Sequence, residues 1–204
     1  MCIRDRFKRV SSSETSTASQ LPAVATSASA AARQAYGREL AAVQPGAEAR
    51  LRSPLRLVTL DLRNLTIRLA RQFDFAEEAA YADEQAEGEL LDELAAVLGA
   101  VHAECEARGL PPPHVSVEGH TYHSQPRAEV ETRSLARAVR VMDDIVARLL
   151  ALPRGAASHA TAADVHALFS AVGHGGVLGR GSCVELAILS PDEAEAARAR
   201  ELER

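Results

Sequence analysis

Apolar and polar residues alternate in two segments of the chain, and this spacing predicts strands with one buried face. The two segments are residues 65–75 and 114–121. A continuous apolar run at 183–189 predicts a last strand. Just before it, the sequence predicts a short apolar element at 165–172 and a glycine-rich turn at 173–176.

Apolar residues recur every three or four positions in two longer segments, which predicts two amphipathic helices. The first spans 84–108 and is followed by Gly109 and three prolines, and the second has an apolar face from Leu135 to Leu149. A capping box, Ser190-Pro191-Asp192-Glu193, predicts the start of a charged helix. Because helices alternate with strands, we expect an α/β protein built as an α+β sandwich.

The composition narrows the possible functions. The chain has 204 residues, of which 47% are hydrophobic and 3% aromatic, enough for one aliphatic core. A formal net charge of −5 argues against nucleic acid as a partner, since nucleic-acid binding needs a basic face. No apolar run is long enough to predict a transmembrane segment. Cys105 and Cys183 are expected to be buried thiols, with a disulfide between them as the alternative.

The sequence divides into parts of different composition. The expected parts are an adapter-derived artefact at 1–6, a disordered linker or targeting remnant at 7–54, a folded domain at 55–190 and a charged C-terminal helix at 191–204. The first part looks like translated sequencing-adapter DNA, which implies that the natural N-terminus is missing. Within the linker, residues 33–43 are expected to form a short helix that ends at Pro45-Gly46.

Several motifs have a fixed spacing along the folded part of the chain. They are Phe73-Asp74-Phe75, the strand segment that ends in Gly119-His120-Thr121, and Ser134-x-x-Arg137-Ala138 on the second helix. In this order and at this spacing they resemble the OmpA-like domain, over roughly residues 65–189. The resemblance implies a β-α-β-α-β-β order, with a mixed sheet and helices packed on one face. It also implies a non-catalytic module that associates with peptidoglycan in the periplasm or at the outer membrane.

The resemblance implies a ligand site as well. In the family, the helix arginine, here Arg137, holds the diaminopimelate of the peptidoglycan stem peptide, and the implied site includes Ser134, Thr121 and Tyr122. Diaminopimelate carries an ammonium group and carboxylates, so its site needs an acid and a base close together. The N-terminus of the helix is expected to add hydrogen-bond donors for a carboxylate.

This chain departs from the family pattern on the ligand side. The family has an acid directly after Gly-His-Thr, whereas Tyr122 is neutral at pH 7. Further departures are Val130, Arg133 and residues 181–183. The acid could be supplied instead by Asp74, Glu118 or Glu131. The sequence therefore leaves two alternatives: peptidoglycan or a related carboxylate ligand, and a degenerate scaffold used for protein–protein interaction.

Histidines near the second strand raise the question of a metal site. His120 and His123 follow Glu118, and His174 lies in the glycine segment. No cysteine or carboxylate completes a recognised metal-binding spacing, so neither a metal nor another cofactor is predicted. His120 is expected to support its loop by hydrogen bonding, and the other histidines are expected to face solvent.

No catalytic site is predicted from the sequence. Ser124 lies next to His123, but adjacent residues on a turn rarely aim at each other, and no nucleophile motif surrounds them. The acidic residues between Glu77 and Glu87 are interpreted as a solvated face near the start of the first helix. We therefore expect a binding protein and not an enzyme.

Overall fold

The computed structural model describes residues 23–51, 54–77, 79–121, 127–152, 161–176 and 183–202. Within these ranges the protein is a mixed α/β structure with six helices and seven strands. The helices are α1 (Ala23–Ala41), α2 (Gln44–Arg50), α3 (Glu84–Ala107), α4 (Arg127–Ala151), α5 (Ala162–His166) and α6 (Pro191–Leu202). The strands are β1 (Val58–Asp61), β2 (Thr66–Leu69), β3 (Phe75–Glu77), β4 (Ala80–Tyr81), β5 (His114–Thr121), β6 (Phe169–Gly176) and β7 (Cys183–Leu189).

Five of the strands in the described ranges form one sheet in the order β1-β2-β7-β5-β6. β5 pairs in parallel with β6 and antiparallel with β7, and β7 pairs antiparallel with β2. β3 and β4 form a separate antiparallel pair. The last strand in the sequence thus lies between β2 and β5, and it joins the two halves of the sheet.

One face of this sheet packs into the hydrophobic core. Alternate residues of each strand point to it, and helices α3 and α4 pack against it. The core residues contributed by the sheet are Val58, Leu60, Ile67, Val115, Val117, Phe169, Val184, Leu186 and Ile188. The opposite face carries polar residues, among them the four alternate residues of β5: His114, Ser116, Glu118 and His120.

Helix α4 approaches the sheet closely because two glycines face it. Gly119 and Gly173 are partners in the parallel β5–β6 register. A Cβ atom on Gly119 would overlap the backbone oxygen of Ser134, and one on Gly173 would lie 2.7 Å from the backbone nitrogen of Leu135. Ala138, also on α4, packs beside Gly119 with no exposed surface. The spacing of glycine, serine and alanine in the sequence therefore fits a close helix–sheet contact.

Three of the predicted elements agree closely with the structure. Strands 114–121 and 183–189 have the predicted bounds, and the first amphipathic helix ends one residue before its predicted end at Arg108. The helix after Ser190 is also confirmed, since the backbone N–H and hydroxyl of Ser190 both donate to the Glu193 carboxylate.

Two predictions about strands were wrong in part. The alternating segment 65–75 forms a strand only over Thr66–Leu69, and the chain resumes strand structure at Phe75. Residues 173–176 are not a turn, because they continue strand β6, with Gly175 at a φ of 65°. Glycine spacing alone did not indicate that these residues pair with β5.

The segment before residue 54 is more ordered than the sequence suggested. Residues 23–50 form α1 and α2, and Leu40, Val43 and Ala47 belong to the buried core. Pro45-Gly46, expected to end a helix, lies in the first turn of α2, where proline is tolerated because no helical N–H is lost. Residues 1–22 lie outside the described ranges.

The cysteines do not form the alternative disulfide. Cys105 and Cys183 are both reduced and buried. Cys105 belongs to the core on α3, whereas Cys183 pairs with His120 across the strands β7 and β5. In the part of the chain that is described, no helix combines the length and the apolar character needed to cross a membrane.

A buried histidine on α3 should make folding sensitive to mild acid. Burial lowers the pKa of His102 from 6.5 to about 4. The unfolded chain therefore binds a proton at His102 between pH 6.5 and 4 that the folded protein does not bind. Stability is lost as the pH falls through this range, by about 2 kcal/mol between pH 7 and pH 5.

The measurement is urea unfolding at pH 7 and pH 5 for the natural chain and His102→Leu. The variant should lose less stability than the natural protein between these pH values. His166→Ala, which removes an exposed histidine of α5, should keep the natural pH dependence. An equal loss in the natural chain and His102→Leu would contradict this assignment.

Candidate functional site

Arg137 is the centre of the candidate site on the α4 side of the molecule. Arg137 is only 6% exposed, and its guanidinium carbon lies 4.8 Å from the centroid of the Phe75 ring. A guanidinium over an aromatic face is stabilised by the ring's negative potential. The guanidinium therefore lies against the β3–β4 pair.

The aromatic support of Arg137 belongs to a small cluster. Phe75 lies 5.3 Å from Tyr81, and Phe73 lies 6.2 Å from the same ring. The Tyr81 hydroxyl donates to Asp144 on α4 at 2.9 Å, and Asp144 also accepts from Arg140. These contacts fix β3 and β4 against α4 and so define the wall beside Arg137.

Asp74 supplies a carboxylate near Arg137. The residue is exposed, and its charge opposes the lowering of the Arg137 pKa. Burial is the largest cause of that lowering, and the neighbouring cation Arg133 adds to it. Arg137 thus lies within electrostatic range of a second arginine and of one carboxylate, an arrangement that suits a ligand carrying carboxylates and an ammonium group.

A buried glutamate holds the backbone that carries Asp74. Glu87 of α3 is 1% exposed, and one of its oxygens accepts from Arg71 at 2.7 Å and from the backbone N–H of Asp74 at 3.2 Å. The expectation that Glu87 lies on a solvated face was therefore wrong. The helical spacing of the sequence did not distinguish Glu87 from the exposed acidic residues near it. The partners of Glu87 lie in the irregular segment before β3, which the sequence pattern does not show.

The hydroxyls of Ser134 and Thr121 form hydrogen bonds within the protein. Ser134 is fully buried, its hydroxyl donates to the backbone oxygen of Glu131, and it accepts from the N–H of Gly175 at 2.9 Å. Thr121 is 3% exposed and donates to the backbone oxygen of Val130 at 3.3 Å. Both hydroxyls tie α4 to the strands β5 and β6, which positions Arg137 one turn further along the helix.

The other residues considered from the sequence lie in different places. Tyr122 lies outside the described residues, as does His123. Glu118 is on the polar face of the sheet with His174, so it is not the acid beside Arg137. The side chain of Glu131, on α4, lies near Gly175 at the end of strand β6.

The N-terminus of α4 does not contribute to the site as expected. Arg137 lies ten residues beyond Arg127, the first residue of the described helix. At 1.5 Å per residue this places the helix N-terminus about 15 Å away. The potential of a helix terminus falls off within its first turn, so the electrostatics of the site come from side chains.

Residues that could hold a metal lie on the polar face of the sheet. Two groups of three donors have ligand atoms within 4.8 Å of one another in the described residues, and both include His120. One group contains Glu118 and His174, and the other contains Cys183 and Glu185. The sequence expectation of no metal site considered only linear spacing, which does not reveal donors that strand pairing brings together.

Comparison with known proteins does not identify the chain. No family model matches it, and a search of curated proteins finds no match. The chain is a mixed α/β protein in which an arginine, an aromatic ring and a nearby carboxylate form a candidate site. The function is therefore inferred from these residues.

Proposed function

We propose that this chain contains an OmpA-like domain that binds the diaminopimelate of the peptidoglycan stem peptide, or a related ligand bearing carboxylates. The proposed function is non-catalytic attachment to the cell wall, in the periplasm or at the outer membrane. The observation that carries it is the constrained guanidinium of Arg137 over Phe75, with the Asp74 carboxylate in electrostatic range. In this proposal Asp74 takes the place of the acid that the family has at the position of Tyr122.

The order of elements supports this proposal. After β1, an additional strand that pairs with β2, the elements β2, α3, β5, α4, β6 and β7 follow the β-α-β-α-β-β order that the resemblance implies, with the short elements β3, β4 and α5 between them. Helices α3 and α4 pack on the same apolar face of the mixed sheet. The motif residues Gly119, Ser134 and Ala138 meet at one helix–sheet contact, which gives their spacing a physical reason.

The charges also support a ligand that carries carboxylates. Arg137 can form two parallel hydrogen bonds to a carboxylate, and Arg133 one turn before it adds a second positive charge. The exposed Asp74 can pair with an ammonium group. Diaminopimelate bears both kinds of group on one side chain, so a single ligand could satisfy the acid and the bases together.

One observation favours the alternative function, a scaffold for protein–protein interaction. Arg137 is only 6% exposed, and the hydroxyls of Ser134 and Thr121 are already hydrogen-bonded within the protein. A small ligand would therefore have little polar surface to bind at this position. A protein partner could instead use the exposed residues around it.

Arg137→Ala should weaken binding to diaminopimelate-type peptidoglycan by about tenfold to a hundredfold, because a charge-assisted hydrogen bond is lost. The measurement is sedimentation of the purified full chain with isolated sacculi, together with titration of a soluble diaminopimelate stem peptide. Asp74→Asn should weaken the same binding, since it removes the proposed partner of the ammonium group. A lysine-type stem peptide lacks one carboxylate and should bind more weakly than the diaminopimelate peptide.

The matched control is Arg63→Ala, which removes an exposed arginine from the turn after β1 and should leave binding unchanged. Thermal unfolding of each variant establishes that it is folded. Binding that does not depend on Arg137 would overturn the proposed site. Absence of binding by the folded natural chain would overturn the peptidoglycan proposal and favour a protein partner.

A further inference from the structure

We propose that the polar face of the sheet binds one divalent transition-metal ion, of the zinc type, through Glu118, His120 and His174. This site is separate from Arg137, because alternate residues of a strand point to opposite faces. Gly119 and Thr121 face α4, whereas Glu118 and His120 face away from it. The metal site therefore does not depend on the proposed peptidoglycan function.

Strand pairing brings the donors together. Glu118 and His120 are two residues apart on β5, so they share a face. His174 lies on the neighbouring strand β6, and its ring stacks on that of His120 with centroids 5.0 Å apart. The three ligand atoms come from two paired strands, and His174 lies where the register shifts between Gly119 and Thr121.

The distances suit a metal after small side-chain rotations. Nε2 of His174 lies 3.1 Å from a carboxylate oxygen of Glu118, and all three ligand atoms lie within 4.8 Å of one another. Ligands of a tetrahedral zinc ion with bonds of about 2.1 Å are separated by about 3.4 Å. One pair already has such a spacing, and His174 and Glu118 are exposed enough to adjust.

A second carboxylate lies near His120. Nε2 of His120 lies 3.9 Å from a carboxylate oxygen of Glu185 on β7. That separation exceeds the length of a hydrogen bond, so Glu185 contributes negative charge near the donors. Cys183 pairs with His120 across the strands and belongs to a second donor group that shares this histidine.

Electrostatics favour a cation at this position. Glu118 and Glu185 are direct partners in the antiparallel β5–β7 register, and like charges directly opposite each other destabilise a sheet. A divalent cation between the strands would remove this repulsion. Imidazole and carboxylate donors together favour zinc-type ions over Mg²⁺ or Ca²⁺, which prefer ligand sets made of oxygen alone.

The experiment is titration of the metal-free full chain with Zn²⁺, by calorimetry and by competition with a chromogenic chelator. We expect one ion per chain at this site. His174→Ala and Glu118→Gln should each weaken binding at least about tenfold, since even the loss of a residue that only supports a ligand has effects of this size. Both side chains are partly exposed, so these variants are expected to fold.

The matched control is His166→Ala, which removes an exposed histidine of α5 and should leave Zn²⁺ affinity unchanged. Zn²⁺ should also raise the unfolding temperature of the natural chain, and less so that of His174→Ala. No Zn²⁺ binding by the natural chain, or binding equally tight in His174→Ala and Glu118→Gln, would overturn the proposal. The cluster would then consist only of ion pairs between histidines and glutamates.

Discussion

Glu87→Ala is expected to lower the free energy of unfolding by about 3 kcal/mol. Removal of one member of a buried ion pair costs roughly 3 to 5 kcal/mol, because the remaining charge loses its partner. Arg71 is about one-third exposed, so water can solvate part of its charge and the cost falls at the lower end. The backbone N–H of Asp74 also loses its acceptor. Urea unfolding at pH 7, monitored by circular dichroism, measures the change.

The same substitution should disturb the candidate site. Glu87 holds the segment that leads into β3, and that segment carries Asp74 beside Arg137. Affinity of any folded Glu87→Ala protein for the proposed carboxylate ligand is therefore expected to fall. Glu87→Gln keeps the shape of the side chain and should lose less stability than Glu87→Ala.

A control on the same helix separates burial from charge. Glu89→Ala removes an exposed glutamate two residues away and should change stability by less than about 0.5 kcal/mol. If the two alanine variants unfold at the same urea concentration, the pair formed by Glu87 and Arg71 does not stabilise the fold as described.

Gly119→Ala is expected to destabilise the protein by about 3 kcal/mol. The added methyl group would overlap the backbone oxygen of Ser134, and a Cβ at this position also meets the side chain of Ala138 at 3.3 Å. Backbone cannot move aside as a flexible side chain can, so α4 would have to shift away from β5. Hydrogen exchange should show faster opening of both elements, and urea unfolding gives the total loss.

Another glycine offers the matched control. Gly88 lies within α3, and a Cβ there would have only the Arg148 side chain nearby, at 3.8 Å. Gly88→Ala should raise stability by about 0.5 to 1 kcal/mol, because alanine is the better residue in a helix interior. A Gly119→Ala protein as stable as the natural chain would show that α4 does not need the close approach to β5.

The sequence predicted those elements whose pattern is set by local chemistry. Strand 114–121 was predictable because apolar and polar residues alternate. The expectation of a single buried face was wrong, because the polar residues His114, Ser116 and His120 are buried on the face opposite to Val115 and Val117. The long helix α3 was predictable from its apolar spacing and from the break at Gly109. Such elements carry the information about their partners in their own periodicity.

Other elements depend on contacts that the sequence does not display. Helix α1 has few large apolar residues, yet Leu40 is buried against the core. Strand β6 ends in a run of glycines with no alternating pattern, and its structure comes from pairing with β5. In both cases tertiary packing, and not local preference, decides the conformation.

The candidate sites show the same limit. The sequence predicted Arg137 as a site residue from a motif, and it named Asp74 as one of three possible acids. The choice of Asp74 needed the structure, because only the fold brings the segment before β3 beside α4. The histidine cluster was harder to predict. Glu118 and His174 are 56 residues apart in sequence, and only the pairing of β5 with β6 brings them together.

The central position of β7 has a consequence for synthesis of the protein on the ribosome. Until Cys183–Leu189 has emerged, β2 and β5 have no strand between them, and the two parts of the sheet stay apart. The sheet therefore closes only after β7 has been synthesised, when it pairs with the distant strand β2. Chains released early would expose the unpaired edges of β2 and β5, which are templates for aggregation. Chaperone demand should therefore be highest for products that stop between β6 and β7.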